Sequence, residues 1–403
     1  MTIAARKFND RLTGHQVDAQ LTAIASWWKR HSIDNEHGGF YGEVDNQSKP
    51  VRAASKGIVL NTRILWFFSE YARHTQLAED RAMADRAYQY LTEYFVDQQY
   101  GGLVWELSAS GAIINGKKQV YAQCFGIYAL CSYFTLSQSE DALKLAQILF
   151  RLVENFARDH NAGGYIEACS REWGKITDFR LSEKDLNSPK SMNTHLHVLE
   201  AYTALHQVDA SPTTQEALDH VMAVFLDRVV VQDKQHLALF FDMDWQSQFD
   251  RLSFGHDIEA SWLLCEAAEV LQNPAVSERT QQVAIALAES CLRKGVASKG
   301  YVIDEYDSAT ETLGEHSHWW VQAEALVGFL NAYTLTGEQR YREVCDRIWR
   351  YIMAEHVDDG EWLWLARSHG GKNQDYKAGF WKGPYHNGRA MLELKRRLVA
   401  EGY

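Results

Sequence analysis

One short pattern returns six times along the chain, and it limits the fold more than any other feature. GGFYGEV runs from Gly38 to Val44, GGLVWEL from Gly101 to Leu107 and GGYIEAC from Gly163 to Cys169. LALFFDMDW (Leu237 to Trp245), GYVIDEYD (Gly300 to Asp307) and GEWLWLA (Gly360 to Ala366) complete the series. Each joins a turn signal to alternating or aromatic-rich residues, as a short strand does. With Phe40, Leu103, Tyr165, Leu239, Tyr301 and Trp362 as equivalents, the steps are about 63, 62, 74, 62 and 61 residues. So regular a period marks a repeat architecture.

Two helical patterns lie between successive strands. The first of each pair begins near Lys56, Tyr121, Ser191, Phe254, His318 and Gly383; the second begins near Ala78, Asp141, Thr214, Val276 and Glu338. A further helix near Gln16 to Arg30 brings the number to twelve. Only 5 prolines among 403 residues fit a mostly helical protein. Six helix pairs close most economically into a ring, and the usual polar caps of an open solenoid are not evident. The expectation is an all-α fold: a single (α/α)6 barrel over residues 1–403, with short β-hairpins at one end. The longest step places an insertion, Ser170 to Lys190, in a loop on what is often the binding face.

Charge and targeting signals narrow the function. A net charge of −12 without a basic run argues against nucleic acid or an anionic membrane as partner. The N-terminus has no apolar signal-peptide core, and no stretch is long and apolar enough to span a bilayer. The six cysteines lack CxxC spacing and read as reduced core residues, so a cytoplasmic location is expected. A 46 kDa ring is expected as a monomer or homodimer.

Because each strand pattern precedes the first helix of its pair, those six helices start at the same end of the ring. Their opening turns carry Arg63, then Tyr121 and Gln123, then Asn193, His195 and His197. Next come His256 and Glu259, then Trp319, Trp320, Gln322 and Glu324, and last Trp381, His386 and Arg389. Histidines converging with Arg and Glu in one cavity are the usual mark of an active site. In FGHDIEASW, His256 and Glu259 are three apart on one helix face, where the carboxylate can fix the imidazole tautomer. The helix N-terminus favours a neutral imidazole, the form a general base needs. The paired histidines His195/His197 and His316/His318 are two apart and point to different faces, so no metal is expected. Trp105, Trp245, Trp319, Trp320 and Trp381 are candidates for stacking on sugar rings, against a core-filling role.

Five segments in order, KGIVLNTRILW (Lys56 to Trp66), SMNTHLHVLEAY (Ser191 to Tyr202), FGHDIEASW (Phe254 to Trp262), HWWVQAEA (His318 to Ala325) and FWKGPYHNGR (Phe380 to Arg389), resemble the cellobiose 2-epimerase branch of the N-acylglucosamine 2-epimerase superfamily. The resemblance implies an (α/α)6 barrel acting on sugars without metal or organic cofactor. It implies that His386 and His256 exchange the proton at C2, with Glu259 supporting His256. It also implies that Arg63 and His197 surround the sugar carbonyl and developing oxyanion. Asn193, Tyr121, Trp320, Glu324 and Trp381 match substrate-binding positions. The implied reaction is C2 epimerisation of the reducing-end glucose in a β-1,4 disaccharide. Mannose isomerisation or 2-epimerisation is the near alternative; a glycoside hydrolase or a non-catalytic sugar-binding scaffold is a distant one. Loops Ser170 to Lys190 and Gly370 to Ala378 are where the size of the sugar would be decided.

Overall fold

The computed structural model describes residues 11–400 apart from 184, 232, 234, 308–311, 315 and 371–374. Twelve α-helices are present among them. The first is α1 (Gly14–His31); five pairs follow, α2 (Ile58–Thr75) and α3 (Ala78–Tyr90), α4 (Val120–Ser137) and α5 (Glu140–Phe156), α6 (Met192–Val208) and α7 (Pro212–Val224), α8 (Phe254–Leu271) and α9 (Pro274–Ser290), α10 (Trp319–Thr336) and α11 (Gln339–Glu355). The last helix is α12 (His386–Ala400). Even-numbered helices pack side by side as the inner ring, each backed by an odd-numbered outer helix. The partner of α12 is α1, so the two ends of the chain complete the sixth pair. The fold is an (α/α)6 barrel.

Sequence separates the two layers. In α10 every residue from Val321 to Ala332 is buried, as an inner helix touched on all sides requires. In α5 only Ala142, Ala146, Leu149, Phe150 and Val153 are buried, the single apolar stripe of a helix with one face in water. Outer helices start on side-chain caps at Ser139, Ser211 and Asn273, the last two followed by Pro at the first helical position.

The expected strands are short and obey the sixfold repeat twice over. Locally, each pattern folds back as a hairpin, Ile33 on Phe40, Val96 on Leu103, Arg158 on Tyr165, Val230 on Leu237, Val296 on Val302 and Val357 on Trp362. The true equivalents in the fourth and fifth repeats are therefore Leu237 and Val302, displaced from the expected Leu239 and Tyr301 by one pleat and by one residue. Between repeats, the lead-in to each inner helix pairs antiparallel with the next pattern: Lys56 with Leu107, Lys118 with Cys169, Lys190 with Phe241, Arg251 with Asp307 and His318 with Leu365. The sixth such bridge, Ala378 with Val44, joins the last repeat to the first and closes the ring.

A buried ion pair locks three of these turns. Lys56, Lys118 and Lys190, all 1% exposed or less, reach Asp34, Asp97 and Asp159 at 2.8, 2.9 and 2.7 Å. Each aspartate stands four residues before a Gly-Gly pair whose φ values are positive, the conformation glycine adopts without penalty. An ammonium so deeply buried needs a matched anion, and the D-x-x-x-G-G turn supplies it.

No described helix is long and apolar enough to cross a membrane. The six cysteines form no disulfide; five are buried.

Candidate active site

The opening turns of the inner helices share one register. The fourth residue of α4, α6, α8 and α10 turns toward the hairpin, where it accepts a backbone N–H. Gln123 takes Leu103, His195 takes Tyr165, Asp257 takes Leu237 and Gln322 takes Val302, at 2.8 to 2.9 Å. The sixth residues of α2, α4, α6, α8 and α10 are Arg63, Phe125, His197, Glu259 and Glu324, and they converge at the barrel centre. Phe125, for example, packs against both the Arg63 guanidinium and the His197 ring, at 4.6 and 4.7 Å.

Above this layer lies a cavity of about 550 Å³. Arg63, Tyr121, Asn193, His197, His256, Glu259, Trp320, Trp381 and His386, expected from different repeats, all line it. Trp320 contacts both C2 candidates: its ring centroid is 4.8 Å from that of His256 and 5.7 Å from that of His386. This placement needs Gly255, since a Cβ there would meet the indole at 2.4 Å. His386 Nδ1 pairs with Glu324 Oε1 at 2.6 Å, which calls for a proton on Nδ1. His256 Nδ1 lies 2.7 Å from Ser253 Oγ, the cap of α8. His197 Nδ1 meets Glu200 Oε2 at 2.9 Å. Arg63 donates to the Tyr121 hydroxyl at 2.8 Å and to the Trp381 carbonyl. It is 3% exposed, and among the described residues no carboxylate pairs with it.

Burial sets the protonation of these groups. It drives His256 down to about 4 and holds His386 well below the ordinary histidine value, Arg63 and Arg389 adding to the effect at His386. His197 is lowered as well, again chiefly by burial. All three imidazoles are neutral near pH 7. Burial also raises Glu259 and Glu324, helped at Glu259 by the charge of Glu324. Glu200 goes the other way: Arg389 and His197 outweigh its burial and keep it at about 2.

Three expectations are corrected. Glu259 does not hold His256: its carboxylate accepts from Arg389 Nη2 at 2.6 Å, and a serine hydroxyl takes the place beside the imidazole. At the sixth helical position Glu259 faces the barrel centre, one turn below the rim where His256 meets Ser253. Trp245 is no sugar platform either; its Nε1–H donates to the Ala162 carbonyl and Lys190 sits over its ring. Glu324, expected at the sugar, is instead held by His386, Trp262 and Arg389 and is absent from the residues that line the cavity. His195 is a hairpin tether, and His318 pairs with Asp304 at 2.7 Å. Trp105 stacks near Phe380 and Trp381 in an adjoining cavity.

The sequence reading gave no role to Glu200, Ser253 or Tyr385, nor to Trp364 on the cavity wall; it placed Arg389 among the converging residues without naming its partners, and Asp375 and Tyr376, also on the wall, lie in the expected loop Gly370 to Ala378. Glu200 carried a signal, three residues after His197, the same spacing that drew attention to Glu259. Leu181, Ser182, Glu183 and Asp185 of the long insertion also reach the cavity. In the second expected loop, residues 371–374 fall outside the described set. Glu259, Glu324 and His386 bring possible metal-ligand atoms within 4.8 Å of one another. Arg389 Nη2 donates to both carboxylates, at 2.6 and 2.8 Å, so that cluster already contains a cation.

A cellobiose 2-epimerase of Bacteroides fragilis is 40% identical over 389 residues, covering 96% of this chain and 99% of the relative. The D-mannose isomerase of Marinomonas mediterranea is 21% identical over 406 residues, covering 95% and 97%. The solved structure of the cellobiose 2-epimerase from Bacillus thermoamylovorans superposes with a TM-score of 0.90 at 34% identity, covering 96% of this chain and all of that one. The model of the N-acylglucosamine 2-epimerase (GlcNAc 2-epimerase) family matches residues 39–390, and the chain belongs to that family.

Proposed function

We propose that the protein, acting as one catalytic domain, is a cellobiose 2-epimerase that inverts C2 of the reducing-end glucose in a β-1,4-linked disaccharide. Its class, a carbohydrate epimerase or isomerase, is shared by the relatives named above. The observation that carries the reading is that two imidazoles from different repeats, His256 and His386, line one cavity and flank Trp320.

In this reading His197 assists ring opening to the aldehyde. His386, its Nδ1–H held by Glu324, uses the Nε2 lone pair to take the proton from C2. The electron pair of the broken C–H bond moves into the C1 carbonyl, giving an enediolate. Arg63, a buried cation without a carboxylate of its own, holds the charge that develops on oxygen. His256, having taken a second ring proton from solvent, returns it to C2 from the opposite face while His386 gives its proton back to solvent, and the reverse reaction exchanges the two roles. Asn193, Tyr121, Trp320 and Trp381 hold the sugar. A second cavity of about 380 Å³, sharing Leu181, Ser182, Glu183 and Trp381 with the first, supports a second sugar ring over a free hexose.

The test is incubation with cellobiose, lactose, mannose and glucose in heavy water, followed by NMR. Deuterium at C2 of a mannose-ended disaccharide is expected. A ketose from free mannose would instead make the enzyme an isomerase, and released monosaccharide would make it a hydrolase.

A further inference from the structure

We propose that Arg389 is a positioning residue through which His197 and His386 are held and tuned as one unit. This inference rests on the epimerase reading for its consequences in turnover, though the linkage itself belongs to the resting protein.

The connection is continuous. From His197 Nδ1 it passes to Glu200 Oε2 at 2.9 Å, and from Glu200 Oε1 to Arg389 Nη1. Arg389 Nη2 then meets Glu324 Oε1 at 2.8 Å, and the same oxygen meets His386 Nδ1 at 2.6 Å. Nη2 also donates to Glu259 at 2.6 Å. The guanidinium is clamped between rings, 4.2 Å from the centre of Tyr385 and 4.7 Å from that of Trp262. The Tyr385 hydroxyl donates to the Glu200 oxygen that faces Arg389. Arg389 is 2% exposed, and Glu200, Glu259 and Glu324 are 5% exposed or less.

Three carboxylates so deeply buried around one guanidinium cannot all be ionised and separately compensated. The histidines behind them draw on a single shared counter-charge. Titrations in such a cluster belong to the group and not to its members. A proton arriving at His386 Nε2 makes an imidazolium that leans on Glu324, and Arg389 then turns more of its interaction to Glu200. That fixes His197 as a neutral hydrogen-bonding group. The arrangement favours one charged imidazole at a time, so ring opening and C2 proton transfer follow in sequence. A planar fork is required, because a lysine in this place keeps the charge but cannot span three carboxylates.

Other groups face His386 as well: Arg63 from α2, Tyr121 from α4, His256 and Glu259 from α8. None of them is joined to both imidazoles by hydrogen bonds through one side chain.

The experiment compares the wild type with Glu200→Gln, Arg389→Lys and the double variant, each labelled with 15N-histidine. Imidazole 15N shifts are read without substrate, and kcat, KM and the pH profile are read with cellobiose. Glu200→Gln touches His197 directly; the proposal expects it also to move the His386 resonances. It should lower kcat by about tenfold with KM within about twofold. The acid limb of kcat should shift to lower pH, since a negative neighbour of His386 is lost. In the Arg389→Lys background the same change should no longer reach His386, the signature of coupling through that residue. If Glu200→Gln moves His197 alone and leaves the His386 shifts and acid limb unchanged, the proposal is overturned. Should Arg389→Lys fail to fold, Arg389→Gln takes its place as the background, because the Glu200 charge also reaches His386 through space. A wild type that exchanges no deuterium at C2 overturns the epimerase reading instead, and the 15N shifts still report on the linkage.

Discussion

Arg63 and Arg389 are the same side chain in opposite circumstances. Arg389 is surrounded by three carboxylates; Arg63, equally buried, meets among the described residues a phenol, a carbonyl and ring faces but no carboxylate. An unpaired buried cation costs stability, and it is tolerated where a transient negative charge will form against it. Arg63→Met should therefore lower C2 deuterium exchange by about 10²–10³-fold. In urea denaturation it should stay within about 1 kcal/mol of the wild type or exceed it. A parallel fall in stability would show that Arg63 serves the fold. The depressed histidines make a further prediction. A base that stays neutral because burial lowers its pKa keeps working as pH falls past the usual 6.5, and fails only on approach to its folded-state value. Activity should persist at pH 6 and fall only as His386, held well below the ordinary histidine value by burial, takes on a proton, as a pH–rate profile would show. Stability follows the same sign. Charging these imidazoles is easier in the unfolded chain, so their contribution is complete above about 6.5 and is lost as pH drops through the folded values. At this scale the sequence was legible in which residues gather and less so in who holds whom. His197–Glu200 and His256–Glu259 have identical spacing, yet only the first pair bonds, because His256 sits one turn nearer the rim where Ser253 reaches it.

Within an inner helix, register decides between structure and chemistry. The fourth position ties the hairpin to the helix and the sixth faces the barrel centre, which separates two neighbouring histidines of α6. His195 accepts from Tyr165 N–H and stands where α4 and α10 carry glutamine. His195→Gln should keep the tether, since glutamine makes that bond in α4 and α10, and leave kcat within about threefold of the wild type. His195→Ala should cost about 2–4 kcal/mol, from the cavity and the orphaned N–H together. His197→Gln should keep the fold and lose about 10²-fold in activity. Equal losses from both glutamine variants would remove the distinction of registers. Helix starts were legible to within three residues because caps and apolar periods announce them. The ends of α2, α4 and α8 were not marked by glycine: Gln76, Gln138 and Gln272 take up the left-handed conformation there, with φ of 58, 60 and 53°. The repeated D-x-x-x-G-G turn and its buried lysine were present in the sequence but read only as turns. An aspartate near glycine is common, and what gives these three meaning is the lysine brought to them from 21 to 31 residues further on.

A closed ring must be sealed where its ends meet, and here the seal adjoins the site. Glu361, fully buried, accepts from Trp28 of α1 at 2.6 Å, from Lys382 at 2.9 Å and from Asn387 of α12 at 2.7 Å. Lys382 and Asn387 flank His386, so the contact that closes the barrel also positions the first turn of α12. The sixfold period was enough to infer closure, since six equal pairs leave no exposed ends. It could not reveal Glu361, because Trp28 lies 333 residues away from it and shares no motif with Lys382 and Asn387, which stand 21 and 26 residues beyond it. If the ring is one cooperative unit, weakening the seal acts at a distance. Trp28→Phe preserves most of the buried ring and removes only the Nε1–H that Glu361 accepts. Loss of a hydrogen bond to a buried charged acceptor should cost about 1.5–3 kcal/mol. Urea denaturation should still show one transition at a lower midpoint, with the fluorescence of the remaining tryptophans and the helical circular dichroism signal falling together. A ring opened at the seam would instead lose α1 and α12 before the rest, separating the two signals. Activity should fall along with the seal, because His386 begins the helix that Glu361 anchors. A variant equally destabilised but fully active would place the closure and the chemistry in independent parts of the barrel.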